Sequence, residues 1–499
     1  MEPGNQTTRR SSGESDRLPG AVLGALLLAV LNQWLFFGKP FGATVPLFVA
    51  LLYVYYFAVA GAANRSGSPF AWVLFSAVAA LSLVYVLFDN PGFRFLNALA
   101  LPLLAAFHAM LHAGRAGGDW YRKEAAASFL MHLVPGTLAN FPVPFRLLKG
   151  RMEQSAGRRH LAAAAKIAAG LVLALPVVIL VTALLASADR AFERVLAFIP
   201  DLAAGMRPAE LAARGIWIAA VFFGLFGFVW SLASGKPAED LAKALERRGD
   251  VAVDPLIVHT VLFAVNAVYA VFVAVQFSYL FGAWEGVLPD GKTYAEYARS
   301  GFFELAAVAA INFGLLAVSL ALSRPGSAAR KRLGRGLLTA LLLFTLVMLV
   351  SAHIRLTLYE EAYGYTVLRF LVHAFLVYMG VLVVAALVRV WRDGVNLVRL
   401  FAVISLAAWL AINYAGADRR VAELNIARHA AGGELDAVYL SRLSSDAVPA
   451  MLKLADHPDV RDQLEKRLQR LRADAENRPV LSFNLARYRA LKLLEKALR

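Results

Sequence analysis

"GLLTALLLFTLVMLVSAHI", residues 336–354, runs for nineteen residues without an Asp, Glu, Lys or Arg. A helix of about this length crosses a hydrocarbon core of roughly 30 Å, and similar apolar blocks recur from residue 20 to residue 415. The whole chain of 499 residues is 59% hydrophobic and 17% charged, with a mean hydropathy of +0.58. Soluble domains carry about 25% charged residues. The sequence therefore predicts an all-α, polytopic protein that spans a lipid bilayer many times.

Eleven apolar segments qualify as transmembrane helices, and the basic residues between them predict their orientation. The predicted spans are 20–37, 42–61, 69–87, 93–112, 161–186, 215–233, 255–281, 302–323, 336–354, 370–388 and 400–415. With the N-terminus in the cytoplasm, the inner segments hold 24 Lys and Arg residues and the outer loops hold 10. Cytoplasmic loops are the ones that carry such an excess. An odd number of spans places the C-terminus outside the cytoplasm, and a count that is wrong by one reverses this.

The membrane domain comprises residues 20–415. One segment before it and one segment inside it are not predicted to be spans. Residues 1–19 are polar, and we expect a disordered cytoplasmic N-terminus there. Residues 125–150 are apolar but are interrupted by three prolines. This pattern predicts a segment that lies along the cytoplasmic headgroups instead of crossing the bilayer.

Residues 416–499, the helical tail, form a different kind of sequence. Apolar residues recur there at helical spacing between charged ones, in two stripes: Val460, Leu464, Leu468 and Leu471, then Tyr488, Leu491, Leu494 and Leu498. Asp456-His457-Pro458 has the pattern of a helix start, with a capping carboxylate and a proline in the first turn. The tail is therefore predicted to be a small all-helical soluble domain, which binds a protein partner or packs against its own membrane domain.

The absence of several motifs limits the chemistry of the chain. It has no cysteine, which excludes thiolate metal sites, Fe–S clusters and cysteine nucleophiles. It also lacks a GxxxxGK[ST] loop and an HExxH motif, so ATP hydrolysis and zinc-protease chemistry are not expected. His108 and His112 stand four residues apart, but a pair without a third ligand is a weak metal site. We therefore expect no metal and no cofactor. We also expect no binding of nucleic acid, since basic cytoplasmic loops account for the net charge of +16.

Charged residues of both signs collect in the predicted outer loops around spans seven to ten. "TYAEYARSGFFEL" (293–305) leads into span eight, and "LYEEAYGYTVLRFLVHAF" (358–375) joins spans nine and ten. Ionisable groups in or beside a span are costly, and they are functional candidates by default. The candidate residues are Glu296, Arg299, Glu304, Arg355, Glu360, Glu361, Arg369 and His373.

This cluster has two interpretations, and the sequence leaves both open. In the functional one, Arg299, Arg355 and Arg369 form an outer-leaflet pocket for an anionic or zwitterionic group, where a histidine and a glutamate relay protons. In the structural one, buried salt bridges fix helix ends to loops.

Several stretches also resemble a known family. "ASADRAFERVL", "FSYLFG", "TYAEYARSGFFEL", "LYEEAYGYTVLRFLVHAF" and "LNIARHAAGGELDAVYLSRLSSDAVPAML" look like a widespread bacterial family of multi-pass membrane proteins with a domain of unknown function. The resemblance runs from roughly residue 150 to the C-terminus. It implies a location in the bacterial cytoplasmic membrane, and it supplies neither a reaction nor a catalytic residue.

Three functions are compatible with these features. The first is a non-enzymatic envelope sensor or scaffold with an outer pocket and a partner-binding tail. The second is a secondary transporter or lipid-handling permease, indicated by Glu304, His373 and the arginines at one leaflet. The third is an enzyme acting on a lipid-linked substrate. Membrane glycosyltransferases of this kind typically need a carboxylate in an early outer loop, and the presence of only Asp89 in the first two outer loops counts against this class.

Overall fold

The computed structural model describes residues 4–60, 68–147, 208–234, 254–284, 302–322 and 327–498. These residues are helices and their connections, without a strand. The helices up to residue 414 are α1 (Gly4–Phe36), α2 (Thr44–Val59), α3 (Pro69–Leu87), α4 (Pro91–His112), α5 (Lys123–Met131), α6 (Pro208–Ser234), α7 (Pro255–Trp284), α8 (Phe302–Leu322), α9 (Ala328–Tyr363), α10 (Val367–Trp391) and α11 (Leu397–Tyr414).

Most of these helices are long and apolar enough to cross a membrane. Eight of the described helices meet this criterion, namely α1, α3, α4, α6, α7, α9, α10 and α11. Helix α2 and the segment Ala307–Leu320 of α8 are apolar but shorter. These ten helices overlap ten of the eleven predicted spans, and the remaining one, 161–186, lies outside the described residues. The chain is an all-α, polytopic membrane protein, as predicted.

The chain divides into two compact units, and the first contains α1, α2, α5, α6 and most of α3 and α4. Helix α1 begins at Gly4, so part of the segment predicted to be disordered, residues 4–19, is helical. The apolar part of α1 already forms a helix, so each further residue at its N-terminal end gains one hydrogen bond without the cost of starting a new helix.

The described part of the segment predicted to lie in the headgroup region, residues 125–147, is largely helical and contacts α6. It consists of α5, a π-helical turn at His132–Gly136 and a helical turn at Thr137–Ala139. His132 Nδ1 lies 2.6 Å from Ser231 Oγ, and a Cβ on Gly227 would be 2.5 Å from the Thr137 carbonyl oxygen. Gly227 therefore permits the close contact between the two helices. The depth of this segment in the bilayer stays a prediction.

The second unit contains α7 to α11, the turn Leu87–Leu96 and nearly all of the tail. Helices α9 and α10 form an antiparallel hairpin with an apolar core that includes Leu341, Leu342 and Val383. Gly364 ends α9 with a φ of +82°, a conformation that favours glycine. Two residues later the Thr366 side chain caps α10 by accepting a hydrogen bond from the Arg369 amide. The turn between the helices is thus only three residues long.

The tail folds around an apolar core of its own. Its helices are α12 (Ala417–Ala430), α13 (Ala437–Arg442), α14 (Val448–Met451), α15 (Pro458–Asn477) and α16 (Leu485–Ala497). The predicted first stripe, Val460, Leu464, Leu468 and Leu471, is buried along α15. Fully buried side chains from the other helices, such as Val421, Leu440 and Leu494, complete the core.

Two details of the tail differ from the sequence expectation. Tyr488 is 50% exposed, because the buried face of α16 is formed by Ala486, Ala490 and Leu494 instead. Helix α15 does begin at Pro458, but the residue at its N-cap is His457, without a side-chain cap. The predicted capping carboxylate does not play that role, since it lies one residue too early.

Candidate functional site

The α9–α10 hairpin brings together three titratable side chains of the second unit. His373 Nε2 lies 2.7 Å from Glu360 Oε2, and His373 Nδ1 lies 2.9 Å from His353 Nδ1. Glu360 is only 3% exposed, His373 is partly buried and His353 is exposed. The three residues therefore form a hydrogen-bonded chain that leads from an exposed ring to a buried carboxyl group.

Glu360 has a further property that sets it apart from ordinary buried carboxyl groups. Its second oxygen, Oε1, has no hydrogen-bond partner among the residues that the structure describes. Buried polar atoms are nearly always hydrogen-bonded, and an exception calls for an explanation such as a proton, an ion or a water molecule. The neighbouring Glu361 is exposed, so the two adjacent glutamates lie in very different surroundings.

Arg369 stabilises the turn and does not pair with His373. Its Nη1 donates to the Gly364 carbonyl oxygen, and its guanidinium lies 4.1 Å from the centre of the Tyr359 ring, a cation–π arrangement. For this arginine, the contacts agree with the structural interpretation of the cluster.

The other predicted site residues are not brought into one pocket within the described part of the chain. Arg355 is half-buried on α9, one and a half turns before Glu360. Glu304 belongs to α8, but its side chain lies outside the described residues, as do Glu296 and Arg299 entirely. The three-arginine pocket therefore stays a prediction.

The helical tail is hydrogen-bonded to the turn between α9 and α10 through main-chain atoms. Asn425 of α12 both accepts from the Tyr365 amide, at 2.9 Å, and donates to the Tyr365 carbonyl, at 2.8 Å. The Tyr439 hydroxyl accepts from the Val367 amide at 2.8 Å, which satisfies a free N–H of the first turn of α10. Burial raises the pKa of Tyr439, so this hydroxyl stays neutral.

Arg428 makes the third contact of the tail with this turn. Its guanidinium donates to the carbonyl oxygens of Glu361 and Ala362, at 2.9 Å and 2.8 Å, and to that of Glu434 at 2.9 Å. Carbonyls in the last turn of a helix lack intrahelical partners, and a cation there also interacts favourably with the helix dipole. Arg428 thus connects the C-terminal end of α9 directly to the tail.

A polar groove of about 730 Å³ lies between this turn and the tail. Arg369 and Arg428 line one part of it, and the carboxylates that line it are those of Glu434, Asp436, Asp459 and Asp462. The lining of the groove therefore carries charges of both signs.

A second contact region joins the tail to the turn between α3 and α4, again within the second unit. Asp89 is 7% exposed and accepts hydrogen bonds from Arg487 at 2.6 Å, from Arg94 at 2.9 Å and from Ser445 at 2.9 Å. Asn90 donates to Asp418 at 2.7 Å. This network occupies the carboxylate that the enzyme hypothesis required, so Asp89 has a structural role here.

The same network contains a carboxyl group that titrates near neutrality. Asp446 accepts from the Asp89 amide at 2.9 Å and lies 3.0 Å from Ser444 Oγ. Burial raises the pKa of the Asp446 carboxyl to about 6. Burial also lowers the pKa of Arg467, which donates to the Ser444 carbonyl oxygen at 2.9 Å.

The tail residues that make these contacts were not found by sequence reasoning. Asn425, Arg428 and Tyr439 belong to the stretch "LNIARHAAGGELDAVYLSRLSSDAVPAML", which carried the family resemblance. Nothing in their spacing indicated partners in the membrane domain. The resemblance was the one available signal that this stretch does more than fold the tail.

Fold and contacts together define the class of the protein, a polytopic helical membrane protein whose C-terminal helices are hydrogen-bonded to turns of its own membrane domain. The chain belongs to the family described as Domain of unknown function (DUF4153), whose family model matches residues 75–454. The predicted membership in a family of this kind is confirmed, and the match begins upstream of the stretches that indicated it. Comparisons with curated proteins and with solved structures gave no match.

Proposed function

We propose that this protein is a non-enzymatic sensor or scaffold of the bacterial cytoplasmic membrane, in which the helical tail responds to the state of the turn between α9 and α10. The observation that carries the proposal is the position of Arg428. It binds the carbonyl oxygens of Glu361 and Ala362, directly after Glu360 in the chain. A change in the charge or position of Glu360 therefore acts one residue away from the main-chain atoms that hold the tail.

The groove beside the turn supports the same proposal. It is bounded by both the turn and the tail, so a zwitterionic ligand there would contact the two parts at once. A ligand that binds one arrangement of them better than another shifts the population toward that arrangement. The tail, residues 416–499, then presents a changed surface to a protein partner.

Hydrogen–deuterium exchange of the full chain in lipid nanodiscs tests this proposal. Glu360→Gln removes the charge with almost no change of shape, and we expect faster amide exchange in α12 and α13. Glu361→Gln is the matched control, because that side chain is exposed and only its carbonyl oxygen contacts Arg428. In an Arg428→Ala background, the effect of Glu360→Gln on the tail should disappear. Tail exchange at wild-type rates in both Glu360→Gln and Arg428→Ala would refute the proposal.

The proposed orientation has the N-terminus in the cytoplasm and the tail outside it. The count of Lys and Arg residues supports this orientation, and the chain has no cysteine, so single cysteines can be introduced. Val438→Cys places one on an exposed tail position, and Gly394→Cys places one beyond the other end of α10, where a side chain has open space. An impermeant maleimide should label Val438→Cys in intact cells and Gly394→Cys only after permeabilisation. The reverse pattern would put the tail and its partner in the cytosol.

A proton-coupled transporter is the second candidate. The chain of His353, His373 and Glu360 favours it, because ionisable groups linked in this way inside membrane helices are typical of proton pathways. Proteoliposomes with an entrapped pH indicator distinguish the two candidates. A transporter dissipates an imposed pH gradient faster with wild-type protein than with Glu360→Gln, whereas a sensor leaves the gradient unchanged in both.

A further inference from the structure

The hydrogen-bonded chain in the α9–α10 hairpin has a direction that is set by burial. The side chain of His373 is 19% exposed and that of Glu360 is 4% exposed, while His353 at the other end is exposed. Each residue contacts only the next one through a ring nitrogen or a carboxyl oxygen. Hydrogen bonds therefore connect the least buried ring of the chain continuously to the buried carboxyl group.

Each of the two short contacts contains one proton, which limits how protons can be arranged in the chain. A hydrogen bond between two Nδ1 atoms requires a proton on one of them, and the contact between Nε2 and the carboxyl oxygen requires another. With Glu360 ionised, His373 Nε2–H donates to it, and His373 Nδ1 accepts from His353 Nδ1–H. The remaining nitrogen, His353 Nε2, then carries no proton and is the place where one can be added.

Adding that proton leads to a balanced relay. A proton binds His353 Nε2, the Nδ1 proton of His353 passes to His373 Nδ1, and the Nε2 proton of His373 passes to Glu360 Oε2. One proton enters at the exposed ring and one arrives at the buried carboxyl group, and both rings end neutral. The charge of the chain changes from −1 to zero, and the whole change is located on Glu360.

Two features of Glu360 bear on the storage of a proton, namely its burial and its unpartnered carboxyl oxygen. An ionised carboxylate loses hydration when it is buried and needs hydrogen bonds to all its lone pairs, yet Oε1 has no partner among the described residues. The other charged or titratable side chains at this end of the hairpin are Arg355, Tyr359 and Glu361 on α9, Arg369 on α10, Tyr365 in the turn and Arg428 on the tail. Arg369 and Arg428 donate to carbonyl oxygens, and Tyr365 is within electrostatic reach of Glu360, Glu361 and Arg428.

We propose that His353, His373 and Glu360 form a proton relay, in which exposed His353 takes up a proton and buried Glu360 stores it. The relay goes beyond the sensor function, since it describes a proton-binding site that either a sensor or a transporter can use. It also assigns roles to His353, which no sequence pattern singled out, and to the short distance between the two histidines.

Infrared difference spectroscopy of the full chain in nanodiscs tests the relay. The pH is stepped from about 8 to about 5, the range in which histidine changes charge, and glutamate is labelled with ¹³C. We expect an isotope-shifted carboxylic-acid carbonyl band to appear in the wild type and in Glu361→Gln, and to be missing in Glu360→Gln. A wild type without this band, or a band of full size in Glu360→Gln, overturns the proposal.

The kinetics of the same band test the path. Proton transfer through positioned groups contributes on the order of a hundredfold or more to such rates, so His353→Gln should slow the appearance of the band by about a hundredfold and leave its final size unchanged. An unchanged rate in His353→Gln overturns the relay. If the carbonyl band appears but hydrogen exchange of the tail does not change, the relay stands and the sensor function is refuted. If hydrogen exchange of the tail changes but the band does not appear, the relay is refuted and the sensor function stands.

Discussion

Asp89 offers the sharpest test of how the tail is held, because a single carboxylate there receives three side-chain hydrogen bonds. Replacing it with alanine leaves Arg94, Arg487 and Ser445 without that partner. The change lies in the turn between α3 and α4 and alters no residue of the tail itself. We therefore expect Asp89→Ala to loosen the tail and leave its own helices and core unchanged.

The size of the effect follows from the burial of the partners. Removing one member of a buried ion pair costs about 3–5 kcal/mol, because the remaining charge is left uncompensated. Arg94 is nearly buried, but Arg487 is 30% exposed and keeps Asp474 at 2.7 Å. The lower end of the range, about 3 kcal/mol, is therefore expected. Since a tenfold change corresponds to about 1.4 kcal/mol, the population with an undocked tail rises on the order of a hundredfold.

Hydrogen exchange of the full chain in nanodiscs measures this population, with protease sensitivity of the tail as a second readout. The control is Asp462→Ala, which removes an exposed ion pair with Lys466 on α15; such pairs contribute less than about 1 kcal/mol. We expect faster exchange in the 3₁₀ turn Ser445–Ala447 and at the start of α16 in Asp89→Ala only. Exchange and proteolysis of Asp89→Ala that match those of Asp462→Ala would show that the tail does not depend on this network.

Three further predictions concern the same two contact regions. Tyr439→Phe leaves the Val367 amide without its acceptor, so thermal unfolding should show a loss of about 1–3 kcal/mol, while Tyr363→Phe, at an exposed position, should show none. Gly364→Ala places an alanine in a backbone conformation that is nearly restricted to glycine, with an expected loss of stability of about 1–3 kcal/mol. Gly380→Ala, where a Cβ has open space, is the control. Equal melting temperatures of the two variants would contradict the role of the turn. The pKa of Asp446 is raised to about 6 from about 4 in an unfolded chain. Protonation of this carboxyl group therefore stabilises the folded tail fully below about pH 4, and this stabilisation is lost as the pH rises through about 6. After correction for the intrinsic pH dependence of amide exchange, the tail should be more strongly protected at about pH 5 than at about pH 7.5, by about 1 kcal/mol, and Asp446→Asn should abolish this difference. A difference in corrected protection that persists in Asp446→Asn would assign it to another group.

The membrane helices were predictable because their signal is local. Each span is a run of apolar residues, and the bilayer makes a helix the one structure in which such a run satisfies its own backbone. The ends of α9 were predicted less closely, because the predicted span ended at residue 354 whereas the helix continues through charged residues to Tyr363. The buried stripe on α15 follows equally from its helical spacing.

The pairing of side chains was not predictable in the same way. Arg369 and His373 belong to the same predicted cluster, but in the structure His373 contacts Glu360 and Arg369 donates to the Gly364 carbonyl oxygen. The partners of Asp89 were even harder to predict from the sequence, since Ser445 and Arg487 lie 356 and 398 residues away in the chain. Such contacts depend on the packing of whole helices, which a local pattern does not contain.

The two contact regions of the tail differ in chemistry, and this difference bears on how a signal reaches it. At the turn between α9 and α10, the tail binds main-chain atoms, as Asn425 does with Tyr365. Substitutions of the turn's side chains leave such bonds in place, so this region responds to movement of the backbone. At the turn between α3 and α4, the contacts include the charged side chains of Asp89, Arg94 and Arg487, so that region also responds to charge. Glu360, where the proposed proton is stored, is adjacent in the chain to Glu361, whose backbone carbonyl binds Arg428. The proposed signal therefore originates beside the contact region that responds to movement of the backbone.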